Sequence, residues 1–296
     1  MKMIDQNGNR RVFLRDLSLL TGAFLANGFV FSNARSSKMK LGLVTYQWGK
    51  GWDIPTLIKN CTASGVLGVE LRTEHAHGVM PSISMDKRRE VKKIFQDSPV
   101  EIVGMGTNQQ YDYVEPEKLK KSIEETKEWI KLSKDVGGKG VKVKPNQFRE
   151  GVPHERTIEQ IGKALNEVGK FAGDNGQIIR LEVHGNETQE LPNIKAIMDV
   201  ANNKNVYVCW NCNPEDLIGL GLDYNFNLVK DRLGDTVHVR EFNVGDYPYQ
   251  QLMNLFVKAN YQGWILLECR TDPTDKVAAM KEQMVLFNDM IKKAKS

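Results

Sequence analysis

The chain has 296 residues, of which 41% are hydrophobic and 26% are charged, which excludes a disordered or fibrous protein and fits one large domain or two small ones. Its net charge of +4 is concentrated at the N-terminus: residues 1–35 hold five basic and two acidic residues, and the rest holds 36 basic and 35 acidic residues. A nearly neutral body excludes binding to a phosphate backbone as the main function, so we expect no nucleic-acid partner.

Residues 1–38 predict an export signal peptide followed by a linker. Residues 9–15 read Asn-Arg-Arg-Val-Phe-Leu-Arg, which resembles the twin-arginine motif, and a moderately apolar stretch and small residues suited to a signal peptidase follow up to residue 34. The apolar stretch is short and contains glycine and asparagine, which disfavours a permanent membrane anchor. A leader packed on the domain is the alternative. Export predicts a periplasmic protein.

From residue 39 onward, short β-type runs alternate with longer stretches of helical periodicity. The predicted strands are residues 40–45, 66–71, 100–105, 140–144, 178–183, 206–210, 236–242 and 264–268. The predicted helices are residues 54–63, 85–95, 116–135, 157–172, 191–201, 224–233, 249–260 and 274–293.

Eight β-then-α units without a linker or a low-complexity break predict an α/β protein whose residues 39–296 form a single (β/α)8 TIM barrel. An open doubly wound sheet is the alternative. Such a sheet typically has a glycine-rich first turn, and residues 45–49 read Thr-Tyr-Gln-Trp-Gly instead.

Ionisable residues recur on alternate positions at the ends of five predicted strands. Because side chains at i and i+2 share a face, each pair is expected to face the barrel mouth, with the intervening apolar residue under the helices. A set of buried ion pairs is the alternative, but burying so many charges without a use costs several kcal/mol for each. The pairs are Glu70 with Arg72, Lys142 with Lys144, Glu182 with His184, His238 with Arg240, and Glu268 with Arg270.

Three of these side chains, Glu182, His238 and Glu268, offer the carboxylate and imidazole ligands that a divalent metal requires. The motifs around them are Leu-Glu-Val-His-Gly at 181–185, Val-His-Val-Arg-Glu at 237–241 and Tyr-Gln-Gly-Trp-Ile-Leu-Leu-Glu at 261–268. Together these motifs resemble the xylose isomerase-like TIM barrels, the sugar isomerase/epimerase superfamily, over residues 39–292.

The resemblance implies a divalent metal (Mn²⁺, Mg²⁺ or Zn²⁺) held by a glutamate, an aspartate, a histidine and a second glutamate. Glu182, His238 and Glu268 occupy three of those positions, and Asn211 stands where the aspartate is expected. An amide oxygen is a neutral and weaker ligand, so the site would carry two formal negative charges instead of three. Cys212 is an alternative soft ligand.

The resemblance further implies an isomerase or epimerase that acts on a sugar or keto-sugar by proton transfer through an enediolate. Glu182 and Glu268 would serve as base and acid, and Arg240 would neutralise the developing oxyanion. Lys142 or Lys144 would polarise a keto group or accept a proton, the alternative being a salt bridge to a glutamate. The expected partner is a small carbohydrate.

Further candidates for substrate binding lie at or just past the strand ends. The pair His75 and His77 would contact substrate or a second metal, and Trp210 would form a sugar platform or cap the core. Cys209 and Cys212 form a C-x-x-C motif in a strand-like run, which disfavours a redox role. The full set is Tyr46, Glu70, Arg72, His75, His77, Asn108, His184, Trp210, Arg240 and Arg270.

Two other functions stay open. Enediolate chemistry can end in elimination, which would make the protein a lyase or dehydratase, and the same barrel without catalysis would be a carbohydrate-binding protein with Asn211 as the lesion. Phosphodiester hydrolysis of the endonuclease IV type is disfavoured, because it needs several metals and more than the five histidines present. The sequence leaves a homo-oligomer open.

Overall fold

The computed structural model describes residues 39–296, which alternate eight parallel strands with eight α-helices. The strands are β1 (Lys40–Val44), β2 (Gly68–Arg72), β3 (Glu101–Gln110), β4 (Gly140–Lys144), β5 (Ile178–Glu182), β6 (Val206–Cys209), β7 (Thr236–Val239) and β8 (Trp264–Leu267). The helices are α1 (Ile54–Ser64), α2 (Met85–Gln96), α3 (Pro116–Val136), α4 (His154–Asp174), α5 (Leu191–Val200), α6 (Gly221–Val229), α7 (Tyr249–Lys258) and α8 (Lys276–Lys295).

The strands form one parallel sheet in the order β6-β5-β4-β3-β2-β1-β8-β7, which curls into a nearly closed (β/α)8 TIM barrel. The predicted fold class is therefore confirmed. Between β6 and β7 a few backbone hydrogen bonds replace a ladder: the Gly234 N–H donates to the Val208 carbonyl (2.8 Å) and the His238 N–H to that of Trp210 (2.7 Å). We call this junction the seam.

The outward faces of the strands pack under the helices, as the alternation of residues predicts. Leu71, Val143, Val183, Val239 and Leu267 are completely buried in one core with the apolar faces of the helices. Their inward neighbours are then polar, so the barrel interior receives the ionisable side chains.

The N-terminal end of the barrel interior is closed by a plug that we call the barrel floor, formed by Arg180, Asp235, Trp264 and Leu266. Arg180 is fully buried and donates from Nε and Nη2 to the Asp235 carboxylate (2.7 and 3.1 Å). Glycines make room for the bulk, since a Cβ at Gly104 would lie 2.2 Å from Arg180 Nη1.

Element boundaries depart from the predicted ones in two informative places. Strand β3 runs on to Gln110, where it pairs with Lys144 after an irregularity that follows Gly106. Helix α4 begins at His154, whose ring stacks on Phe148 with centroids 3.8 Å apart. Both extensions lie at the C-terminal end of the barrel, where loops meet.

The predicted export signal falls on residues 1–38, which lie outside the described residues. None of the helices between residues 39 and 296 is both long and apolar enough to cross a membrane.

Candidate active site

The C-terminal mouth of the barrel gathers a group of side chains that we call the carboxylate cluster: Glu182, Asn211, His238 and Glu268. Each comes from a different strand, at the end of β5, just past β6, within β7 and just past β8. One ligand atom each of Glu182, His238 and Glu268 lies within 4.8 Å of the other two, and such a set is suited to holding a metal ion.

The imidazole of His238 organises the cluster. Its Nδ1 lies 3.2 Å from Glu182 Oε1 and 3.8 Å from Glu268 Oε2. The opposite nitrogen, Nε2, lies 3.3 Å from Glu70 Oε1. Nδ1 is thus available to a cation shared with two glutamates. A third carboxylate, that of Glu70, lies beside Nε2 on the opposite edge of the ring, as in carboxylate–histidine–metal arrangements.

The charges around His238 set its protonation and that of its neighbours. Burial tends to lower the pKa of His238, but Cys209 and Glu70 oppose it, and the pKa lies well above its ordinary value. Burial tends to raise the pKa of Glu182, but Lys142 and His238 outweigh it and hold the pKa well below its ordinary value. The cluster therefore favours positive charge at its centre and ionised glutamates around it.

Asn211 completes the ring of ligands with its amide. Its Nδ2 donates to Glu182 Oε1 (3.1 Å) and approaches Glu268 Oε2 (3.4 Å), whereas its Oδ1 is buried without a hydrogen-bond partner. Rotating the amide by 180° exchanges the two atoms and directs an oxygen into the cluster. The residues therefore fit a divalent cation held by Glu182, His238, Glu268 and the amide oxygen of Asn211.

Lys142 lies beside the cluster and is completely buried. Its Nζ donates to Glu182 Oε2 (2.7 Å) and to the Thr107 carbonyl (3.3 Å). This position agrees with the alternative prediction, a salt bridge to a glutamate. Direct contact with substrate does not fit a side chain that has no exposed surface. Lys142 therefore fixes and neutralises Glu182.

Glu70 was predicted to bind substrate, but it has no exposed surface and lies behind His238. Trp210 is likewise fully buried, because it points outward from β6 and packs on Phe226 with ring centroids 5.7 Å apart. These two assignments are corrected: Glu70 positions the imidazole, and Trp210 belongs to the core.

The rim above the cluster carries most of the other predicted residues. Lys144 and Arg72 both approach Asn108 Oδ1, and the Arg72 guanidinium lies 5.4 Å from the centre of the Tyr46 ring. His184 is half-buried, and burial lowers its pKa to about 4, although the charge of Glu182 acts in the opposite direction.

The remaining candidates lie farther from the cluster. Arg240 donates to Asn213 Oδ1 (3.3 Å), and Arg270 is exposed. His77 is buried with Nδ1 accepting from the Val79 N–H (3.1 Å), and His75 Nδ1 lies 3.4 Å from Thr45 Oγ1. The two histidines are therefore engaged within the loop after β2.

The cysteines of the C-x-x-C motif are free and buried. Burial raises the pKa of both thiols, and the Cys212 thiol donates to the His238 carbonyl, with 3.6 Å between sulfur and oxygen. A protonated thiol engaged with a backbone carbonyl is a poor metal ligand, so the structure favours Asn211 over Cys212 as the fourth ligand.

Two supporting groups were missed by the sequence analysis. Glu241 accepts hydrogen bonds from the backbone N–H groups of Arg270 (3.1 Å) and Thr271 (2.8 Å), which fixes the loop after β8. Asp216 accepts from the Tyr247 hydroxyl (2.7 Å) and the Asn213 N–H (3.0 Å), which fixes the loop after β6. Glu241 lies in a loop and Asp216 in a short 3₁₀ helix, Pro214–Leu217, where strand alternation gives no signal.

The fold and the cluster together define a TIM barrel with a carboxylate–histidine site at its C-terminal mouth. A family model for the xylose isomerase-like TIM barrel matches residues 58–290. The chain therefore belongs to the xylose isomerase-like TIM barrel family.

Solved structures share this fold at low sequence identity. A 3-keto-D-glucoside 4-epimerase from E. coli aligns with a TM-score of 0.72 at 15% identity, covering 85% of this chain and 100% of that one. An L-ribulose 3-epimerase aligns with a TM-score of 0.74 at 13% identity, covering 86% and 95%. The IolI protein, with a bound zinc atom, aligns with a TM-score of 0.73 at 15% identity, covering 86% and 99%. No curated protein matches the chain.

Proposed function

We propose that this protein is a metal-assisted isomerase or epimerase that acts on a sugar or keto-sugar by moving a proton next to a carbonyl group, through an enediolate. The observation that carries the proposal is the convergence of Glu182, His238 and Glu268 within 4.8 Å at the barrel mouth. Family membership and the epimerases among the structural neighbours support it.

The two glutamates are not equivalent. Glu182 is 1% exposed and is held by Lys142, whereas Glu268 is 13% exposed. The contacts of Glu268 within the cluster, to Asn211 and His238, are long, at 3.4 and 3.8 Å. Glu268 therefore faces the mouth with the fewer close contacts of the two, so we assign it the proton abstraction. Glu182, with its lowered pKa, is the weaker base and the firmer ligand.

A divalent cation bound by the cluster would supply Lewis-acid polarisation of substrate oxygens. The chain supplies the rest: Lys144 lies on the rim as a cation for a developing oxyanion, Arg240 lies farther out in the loop after β7, and Lys142 keeps Glu182 ionised. The buried carboxylate of Glu70, beside Nε2 of His238, keeps the imidazole oriented.

The test is exchange of a substrate C–H proton with solvent deuterium, followed by NMR over a panel of keto-sugars with the metal-loaded protein. Glu268→Gln should lower the exchange rate by roughly 10²–10⁴-fold. Glu101→Gln makes the same change at the start of β3, away from the mouth, and should leave the rate unchanged. Undiminished exchange in Glu268→Gln would refute the assignment of the base.

A lyase or dehydratase is the second candidate, and Lys144 favours it. Burial and Lys142 lower the pKa of Lys144 to about 8, which suits an amine that donates a proton to a leaving group. NMR of the products separates the two functions, because elimination yields an unsaturated product and epimerisation does not. A sugar-binding barrel without catalysis would bind ligand but give no deuterium exchange.

We also propose that the protein is exported to the periplasm and acts on unphosphorylated sugars there. The twin-arginine-like motif at residues 9–15 supports this proposal. Fractionation of cells that express the full chain tests it, with replacement of Arg10 and Arg11 by lysine as the variant expected to stay in the cytoplasm.

A further inference from the structure

Two cations on the rim of the mouth have no acidic partner. Among residues 39–296, neither Arg72 nor Lys144 lies within ion-pair distance of a carboxylate. Both instead approach one neutral oxygen, Asn108 Oδ1, at 3.5 Å from Arg72 Nη2 and 3.2 Å from Lys144 Nζ. In addition, Arg72 Nε is buried without a hydrogen-bond partner.

Lys142, on the same strand as Lys144, has the carboxylate partner that Lys144 lacks. It lies two residues before Lys144 in β4, and its Nζ lies 2.7 Å from Glu182 Oε2. Arg72 and Lys144 are half-buried, so part of their hydration is lost without such compensation. An uncompensated donor at a barrel mouth is explained if a ligand supplies the acceptor.

The rim cations lie on the same side of the barrel mouth as the carboxylate cluster, because Lys144 follows Lys142 by two residues on one face of β4 and Lys142 Nζ lies 2.7 Å from Glu182 Oε2. Burial and Lys142 lower the pKa of Lys144 to about 8, and the charges of Glu182 and Glu268 act on it in the opposite direction. Lys144 is therefore still mostly protonated at neutral pH, and it is electrostatically coupled to the carboxylates that hold the metal.

We propose that Arg72, Lys144 and Asn108 form a subsite for a carboxylate group of the substrate, so that the substrate is an acidic sugar. The fork of guanidinium donors and the ammonium group suit a planar carboxylate, and the Asn108 amide supplies a further donor from Nδ2. The inference rests on the proposed function for its sugar, but the subsite is tested by binding and needs no turnover.

The charges around the subsite favour an anionic group. Lys142 compensates Glu182, and the two rim cations outnumber the remaining carboxylate at the mouth, Glu268. The planar donor fork then suits a carboxylate. A carboxylate is also consistent with an exported enzyme that meets unphosphorylated sugars.

The experiment is isothermal titration of the Mn²⁺-loaded full chain with D-glucuronate and with D-glucose, its neutral counterpart. We expect D-glucuronate to bind at least roughly tenfold tighter, because a charge-assisted hydrogen bond stabilises more than a neutral one. Arg72→Met and Lys144→Met should each lower D-glucuronate affinity by roughly 10–100-fold without lowering Mn²⁺ affinity.

Lys139→Met is the matched control. Lys139 immediately precedes β4 at the opposite end of the barrel and pairs with Glu101, so its replacement removes the same charge without touching the rim. It should leave D-glucuronate affinity unchanged, which would exclude a general effect of net charge.

The same measurements overturn the proposal in three ways. D-glucuronate that binds no tighter than D-glucose would refute an anion subsite. Unchanged affinity in Arg72→Met and Lys144→Met would show that the carboxylate contacts the metal or another surface instead. Tighter binding of D-glucose 6-phosphate than of D-glucuronate would assign the subsite to phosphate. None of these results bears on proton exchange by Glu268, so failure of the subsite and failure of the proposed function are distinguishable.

Discussion

The barrel interior contains buried charges at the barrel floor and at the mouth, and the two sets are paired differently. At the barrel floor, one cation meets one anion: Arg180 holds Asp235 through two hydrogen bonds, next to glycines that leave room for it. At the mouth, three carboxylates surround one imidazole, with oxygens of Glu70 and Asn211 left without hydrogen bonds.

This difference separates a structural ion pair from a functional cluster. A buried pair of opposite charges closes on itself and offers nothing to a ligand. The mouth holds like charges together and leaves acceptors unsatisfied, an arrangement that stabilises a fold poorly and binds a cation well. Mutations at the floor should therefore change stability alone, whereas mutations at the mouth should also change metal affinity.

The largest effect on stability is expected at the barrel floor. Asp235→Asn should lower the free energy of unfolding by about 3–5 kcal/mol, because it leaves the fully buried Arg180 guanidinium without its carboxylate. Arg180→Met is the milder companion, at about 1–3 kcal/mol, since the Asp235 carboxylate that it leaves is 39% exposed and can be hydrated. Chemical denaturation measures both. Equal stability of Asp235→Asn and the parent protein would remove the distinction between the floor and the mouth.

At the mouth, Glu70→Gln should lower metal affinity by roughly 10–100-fold, because the imidazole of His238 loses the carboxylate behind it. In the metal-free protein the free energy of unfolding should also fall, because His238, Lys142 and Arg180 outweigh burial and lower the pKa of Glu70, so the folded state favours its ionised form. Metal titration and denaturation are run on the same variant. Loss of stability without loss of metal affinity would make Glu70 a purely structural residue.

Asn211→Asp, also at the mouth, should change metal affinity in the opposite direction from Glu70→Gln. A third negative ligand should raise metal affinity by at least about tenfold, because charge count tunes the affinity of such sites. In the metal-free protein the added carboxylate should lower the free energy of unfolding by roughly 1–3 kcal/mol. An Asp variant that binds metal no better than the parent would exclude residue 211 from the ligand set.

The smallest effect is a pH dependence of anion binding at the rim. Lys144 has a pKa of about 8, lowered by burial, Lys142 and Arg72 and raised by Glu182 and Glu268. Protonated Lys144 favours an anion, so D-glucuronate affinity should be constant below this pKa and fall as the pH rises through it, by at most about tenfold per pH unit. Calorimetry from pH 6.5 to 9.5 should show this decline, and Lys144→Met should abolish it.

The sequence predicted the architecture and the faces of the strands but not depth along the barrel axis. Alternation places Glu70 and Arg72 on one face, yet the first is fully buried and the second reaches the rim. Depth depends on the stagger between neighbouring strands, which no single strand encodes. For the same reason, the sequence of β4 shows that Lys144 lies nearer the mouth than Lys142 but not which of them reaches the rim.

Two other departures have local explanations. Residues 106–110 read Gly-Thr-Asn-Gln-Gln, a polar run without strand character, and pairing with β4 keeps it extended as part of β3. Trp210 precedes Asn211, so the alternation that turns Asn211 inward also predicts that the Trp210 ring points outward into the core.

The seam has a consequence for how metal and fold depend on each other. Asn211 and His238 lie on its two sides and form an isolated bridge there. A cation that binds both residues would therefore link β6 to β7, the neighbouring strands with the fewest hydrogen bonds between them. Loading should therefore slow amide hydrogen exchange along β6 and β7 more than in β2 or β4. The ion would strengthen the eighth junction of a barrel whose other seven junctions are strand ladders.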